Sequence, residues 1–404
     1  MLVFWGECLL HASLVALQLV VGAHLFLPFI FYSIWRMRGK RPVILPSVLS
    51  QQETKVDYAI IITAYEQTHQ LSTAIASVLQ SRYKHFHVYV VIDACQERNF
   101  AYDDPRVSVL YPEQHLQSNV GSHRYAIARF VRDHNWICIL DSDNLMDSCF
   151  MDATLPFIYS GYEALQGVRL PKNVNTDIAC LDAARDVYYR VYDGRILFDL
   201  GSSATLTGSG MAFNTSAYIA SFSGVDDIKG AGFDKVLQFL IVKSGKRIAY
   251  VEDAFVWDTK TAGGSQLVFQ RARWINSWFR YSYHGISLLG TGLLKANVNQ
   301  VLFSLALLRP PLFLLVLFAF VGLLFNSFIN LSLSLFWAIS LVFFVLGFFT
   351  ALREEDANGR IYRSLKRIPL FMYLQVKALL YSRNANRRSA YTDHSVGELK
   401  NFNG

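Results

Sequence analysis

The sequence predicts an α/β domain built on a mostly parallel sheet and framed by about three transmembrane helices. Three observations predict it. Charge-free apolar runs lie toward both ends of the 404 residues. Between them, short apolar strands alternate with segments whose apolar residues recur at helical spacing. Polar and acidic residues stand where those strands stop, and sheets of this kind bind ligands beyond the carboxyl ends of their strands.

The first apolar run, 8–35, carries no Lys, Arg, Asp or Glu, and about 20 apolar residues suffice for a span. Glu7 precedes it, and Arg36, Arg38, Lys40 and Arg41 follow. That charge order is the reverse of a secretory signal peptide, so a retained anchor is expected. A second charge-free run, Pro310 to Leu352, falls within 300–352, where two further spans are expected, near 310–326 and 332–351. Asn326, Ser327 and Asn330 would form the turn between them. Basic residues mark the cytoplasmic side. Those after the first span, and Arg360, Arg363, Lys366 and Arg367 in the tail 353–404, predict an outside N-terminus. Middle domain and tail would then lie in the cytoplasm, as at a bacterial inner membrane. The net charge of +7 fits juxtamembrane Lys and Arg beside anionic lipid. No basic helix or zinc-finger spacing points to nucleic acid. The five scattered cysteines suit neither a zinc site nor a disulfide framework.

The middle domain, 55–265, reads in order. Tyr58 to Thr63 is a buried strand, and Leu71 to Leu79 a helix. Phe86 to Ile92 and Val107 to Leu110 are strands, and Val120 to Val131 is helical. Trp136 to Leu140 is a strand that stops at Asp141. Further strand and helix patterns follow at Arg247 to Val251 and from Asp234 to Gly245. The stretch 266–295 mixes aromatic and aliphatic residues with few charges, as an interfacial helix does.

The chemistry collects at strand ends. Asp141-Ser142-Asp143-Asn144 follows its strand directly. Two carboxylates one residue apart can share Mg²⁺ or Mn²⁺ with a bound diphosphate; the plainer alternative is a turn. Asp93 ends the second strand, where a carboxylate can accept hydrogen bonds from a base or ribose. In Gln270-Arg271-Ala272-Arg273-Trp274, Arg273 can neutralise a diphosphate. Trp274 can stack on a sugar, and Gln270 can donate to acceptor or phosphate.

These residues make the middle domain resemble the membrane-bound family 2 glycosyltransferases, with their GT-A fold. Gln270 to Trp274 matches the Q-x-x-R-W motif of cellulose, chitin and hyaluronan synthases and of ceramide glucosyltransferase. The Asp141–Asp143 pair matches the family's DxD metal motif. The resemblance implies that Ala64, Tyr65 and Glu66 form the nucleotide-contacting turn and that Asp93 contacts uracil. Gly208, Ser209 and Gly210 resemble its acceptor-side segment, with Trp274 nearby. Arg124 and His123 stand where the family often has a lysine. Asp234 is implied as the base, although Phe233 replaces the usual preceding Glu; Asp253, placed after the strand at 247–251, is the weaker candidate. The implied activity is inverting transfer of a hexosyl or N-acetylhexosaminyl group. The donor would be a nucleotide-sugar, UDP-linked by expectation, and the acceptor a glycan or lipid-linked molecule, with polysaccharide synthesis one outcome. Three spans leave little wall for a polymer channel, which interfacial helices at 274–294 and 368–381 or a homo-oligomer would have to complete. The alternative from another class is a non-catalytic membrane scaffold or partner subunit.

Overall fold

The computed structural model describes residues 2–39, 55–95, 99–223, 228 and 231–387. Lys40, Arg41, most of the linker before Tyr58 and the tail from 388 lie outside them. One eight-stranded sheet organises the middle of the chain: β1 (Tyr58–Tyr65), β2 (Phe86–Asp93), β3 (Val107–Leu110), β4 (Trp136–Asp141), β5 (Leu145–Met146), β6 (Ala164–Pro171), β7 (Met211–Asn214) and β8 (Ile248–Asp258). Its order is β3-β2-β1-β4-β7-β6-β8-β5. The four strands read from the amino-terminal half are all parallel, and β7 joins β4 antiparallel. Successive Ile60, Ile61 and Ile62 are all fully buried, as a strand covered on both faces requires.

Strand register creates the site. Tyr65 pairs with Asp93 and Thr63 with Asp141, so three strands end at one edge. The sheet grows in opposite directions from β1 there, to β2 on one side and β4 on the other. Such a reversal opens a crevice at the strands' carboxyl ends.

Four elements differ from the sequence expectation. The helix expected to reach Val131 stops at Ile127, because the Val131 N–H donates to the Tyr89 hydroxyl at 2.8 Å instead of continuing the helix. Strand β8 continues past Val251 to Asp258. Its pairing jumps from Gln166↔Tyr250 to Val168↔Phe255, so Glu252 and Asp253 sit within a bulge of the strand. Gly167 makes room for it: a Cβ there would lie 2.6 Å from the Ala254 carbonyl oxygen. The stretch expected as one interfacial helix is two, Gly264–Tyr281 and Tyr283–Leu294. The turn between the last two long apolar helices is only Asn330, which caps the second by accepting from the Leu333 N–H at 3.2 Å. Asn326 and Ser327 stay helical.

Among the described residues three helices are long and apolar enough to cross a membrane: His11–Arg38, Leu312–Ile329 and Leu331–Glu354. They meet at Gln18, whose amide oxygen accepts from Asn326 at 2.7 Å and from the Trp337 indole at 2.9 Å, so polar side chains from all three helices satisfy one another. The sheet domain is fastened to this bundle through helix Asp177–Tyr189 and the π-helical segment Arg190–Ile196 that prolongs it. There Tyr192 donates to the Gly347 carbonyl at 2.8 Å, and Arg190 pairs with Glu355.

Candidate active site

A cavity of about 840 Å³ opens at the strand ends and runs down between sheet domain and bundle. Its upper wall carries Ala64, Tyr65, Asp93, Asp141 and Asp143. The turn after β4 is fixed by Ser209, whose hydroxyl accepts from the Asp141 N–H at 3.0 Å and from the Asn144 amide at 2.6 Å. Lys172 donates to the Asp143 carbonyl oxygen. Burial pushes the Asp141 carboxyl up to about 7, reinforced by Asp143 and opposed by Arg169, with Asp258 and Asp234 adding to the rise. Crowded carboxylates of this kind seek a cation. Among the described residues no group of three His, Cys, Asp or Glu forms a metal-binding set. The carboxylate donors Asp141 and Asp143 fit a hard cation such as Mg²⁺ or Mn²⁺, which commonly completes its shell with substrate phosphate.

Asp93 is buried, and its two oxygens accept from the Leu116 and Gln117 N–H groups at 3.1 and 2.8 Å. The structure thus gives it a loop-holding part that sequence reasoning missed, while spare lone pairs still face the cavity. Gln117, Glu66 and Ala94 all take positive φ, at 49°, 64° and 56°. Backbone in that region is uncommon for such residues and clusters at functional sites.

The opposite wall brings Asp234, Gln270, Arg273, Trp274 and Gly208 to the same cavity. Asp234 lies in the first turn of helix Phe233–Lys243, behind Gly232 at φ +110°. A Cβ on Gly232 would stand 2.6 Å from the Tyr281 ring, so this glycine lets the Asp234 turn close onto the helix of Gln270 to Trp274. Gln270 accepts from the Thr261 hydroxyl at 3.3 Å. Burial holds the Arg273 guanidinium below its ordinary value, and the Glu66 carboxylate offsets part of that.

Several sequence candidates lie off the cavity wall. Arg124 turns away to donate to the Phe222 carbonyl at 2.9 Å, and His123 is buried against the Tyr218 hydroxyl at 2.6 Å. Glu66 reaches the site only through its field on Arg273. Ser209 and Gly210 stand behind the wall: Ser209 fixes the β4 turn, and Gly210, at φ +63°, packs where a Cβ would strike Val256 at 2.7 Å. Asp253 is exposed on the β8 bulge, away from the cavity.

The profile of the family described as "Glycosyltransferase like family 2" matches residues 56–277, more than half of the chain. The chain belongs to this family. No curated protein matches its sequence. Among solved structures, the mannosyltransferase PcManGT from Pyrobaculum calidifontis, in complex with GDP-Man and Mn²⁺, superposes with a TM-score of 0.53 at 12% identity. It covers 91% of this chain and 98% of its own. S. aureus TarS 1–349 in complex with UDP-GlcNAc gives a TM-score of 0.40 at 14% identity, over 82% of this chain and 91% of its own. The glycosyltransferase therefore has a GT-A domain, here joined to three apolar helices.

Below Trp274 the enzyme's cavity is walled by ion pairs that the sequence reading did not foresee. Asp258 pairs with Arg169 and Lys260, Lys260 with Asp186, Asp186 with Arg185, and Asp182 with Arg271. The guanidinium carbons of Arg271 and Arg185 lie 4.0 and 4.6 Å from the Trp274 ring centroid. A signal for this wall exists in the sequence: Asp182, Asp186 and Tyr189 recur at helical spacing, among apolar neighbours, in helix Asp177–Tyr189.

Proposed function

We propose that this glycosyltransferase transfers a sugar, with inversion, from a nucleotide-sugar to an acceptor presented at the cytoplasmic membrane face. The observation that carries the reading is the convergence of Asp141, Asp143, Asp234, Arg273 and Trp274 on one cavity. Nucleotide and ribose lie against Ala64, Tyr65 and the loop held by Asp93. Asp141 and Asp143 would hold Mg²⁺ or Mn²⁺, and a bound cation would supply countercharge for the leaving diphosphate; the Mn²⁺ in the Pyrobaculum structure supports that choice. Arg273 adds a second positive charge at the same group. Asp234 takes the proton of the acceptor hydroxyl as its oxygen attacks the anomeric carbon. Gln270 and Trp274 orient the sugar.

The basic residues flanking the first and last spans support a cytoplasmic catalytic domain. Phe269, Phe279, Tyr283, Ile286 and Leu294, all exposed on the paired helices after the sheet, support their contact with the bilayer interface. The donor base is expected to be uracil, and GDP-Man in the Pyrobaculum relative makes guanine the competitor to test.

The test is nucleotide release by the protein in detergent from UDP-, GDP- and dTDP-sugars, with Mn²⁺, Mg²⁺ or EDTA. Metal-dependent release from one donor is expected. Silence across the panel from folded protein supplied with membrane extract would overturn the reading in favour of a scaffold subunit.

A further inference from the structure

The cavity does not end at the ion-pair wall. It continues past Trp274 into an apolar arm between the last two spans and helix Ile368–Tyr381, lined by Val316, Phe344, Val345, Phe348, Phe349 and Met372. Two of these lining residues, Val345 and Phe349, are also 47% and 46% exposed. Hydrocarbon, and not water, is the natural occupant of such a space.

At the upper end of the arm Arg169, Lys260, Arg185 and Arg271 meet Asp258, Asp186 and Asp182. Arg271 is only 2% exposed, yet its Nε and Nη1 have no hydrogen-bond partner, and the Arg185 Nε has only the Asp182 carboxylate, at 3.7 Å. Burial, with Arg185 alongside, lowers Arg271 to about 10. Buried guanidinium N–H groups left unmatched cost free energy that an anion would recover, and their fork suits phosphate.

Resting on the reading above, we propose that the acceptor is delivered by a phosphate-bearing lipid: its phosphate meets Arg185 and Arg271, and its chain fills the arm between the last two spans. The two features occupy one continuous cavity with Asp234 and Trp274, so a lipid seated there presents its headgroup to the donor sugar. It enters from the bilayer beside Val345 and Phe349.

The probe is a long-chain alkyl monophosphate with a photoreactive diazirine at its chain end, applied to the full chain in maltoside micelles, which carry no phosphate. Labelling is expected on the cavity-facing residues of Leu312–Ile329 and Leu331–Glu354. Hexadecyl phosphate should compete at least about tenfold better than hexadecanol, the size of a charge-assisted hydrogen bond. Inorganic phosphate should compete far more weakly than either. Arg271→Gln and Arg185→Gln should bring the phosphate-to-alcohol ratio near one, and nucleotide affinity should be unchanged. Should those variants misfold, Val316→Trp, which narrows the arm without touching a charge, should lower labelling by itself. Equal competition by alcohol and phosphate overturns the phosphate site; labelling confined to the outer bundle surface overturns the arm. Arginine variants that weaken nucleotide binding and spare labelling would assign the pair to the donor. Nucleotide release from the same sample keeps the two claims apart: lipid labelling without any release sinks the transferase reading alone, and release without labelling sinks this one.

Discussion

On the donor wall of the cavity the shaping contacts are hydrogen bonds with backbone groups, from N–H groups to Asp93, from the Asp141 N–H to the Ser209 hydroxyl and from Lys172 to the Asp143 carbonyl. On the wall toward the membrane they are ion pairs from one side chain to another. The two walls therefore differ in what fixes them. Hydrogen bonds position the turn of Asp141 and Asp143, where burial and acidic neighbours raise the Asp141 carboxyl. On the membrane side, side-chain ion pairs fix one another and leave the Arg271 Nε and Nη1 without a hydrogen-bond partner. The proposed ligands answer these two features, a divalent cation on one wall and a phosphate on the other.

The comparison breaks first at Asp143. Asp143→Ala should lower metal-dependent nucleotide release on the order of 10⁴-fold. Unchanged turnover in a folded variant would remove the metal role. The opposite wall should answer in stability. Lys260→Met leaves Asp186 and Asp258 buried and short of a cation, a loss of about 3–5 kcal/mol, read as a lower denaturant midpoint. A midpoint equal to that of the unaltered protein would mean the network is not structural.

The raised Asp141 carboxyl also predicts a pH dependence. With Asp141 at about 7, the metal-free fold binds more protons than the unfolded chain from the ordinary carboxyl range up to about 7. Its stability should fall as pH rises through that window. Metal binding must expel the proton, so affinity should rise about tenfold per pH unit below 7 and level off above it. Calorimetry in buffers of different ionisation enthalpy would count that proton, and none released at pH 6 would contradict the shift. Smaller still is Ser209→Ala, which removes the acceptor for the Asp141 N–H. It should cost about 1–2 kcal/mol and weaken metal binding about tenfold; equal metal affinity would mean the turn holds itself.

The donor wall was legible in the sequence because strand periodicity puts it there. Buried runs such as Tyr58 to Thr63 mark strands, and Asp141 follows one directly, so sheet topology alone carries it to the crevice. Asp234 and Gln270 to Trp274 were legible through a motif. Arg271 lay inside that motif, but its partner Asp182 is 89 residues away, and no local pattern announces such a pairing. Arg124 was named only because it stands where the family often has a lysine, and position along the chain does not fix where a side chain turns; it donates to the Phe222 carbonyl, off the wall. Asp253, the weaker candidate for the base, sits on a bulge that cannot be seen without the partner strand.

The most direct test of the central claim, that both walls serve one transfer reaction, is to follow labelled sugar from donor to product in membrane extract with Asp234→Asn beside Asp253→Asn. The account predicts a loss of about 10²-fold or more in transfer for Asp234→Asn, with metal and nucleotide binding intact and a product of inverted anomeric configuration in the unaltered enzyme. Asp253→Asn should change nothing. Full transfer by Asp234→Asn, or its loss in Asp253→Asn, would contradict the account.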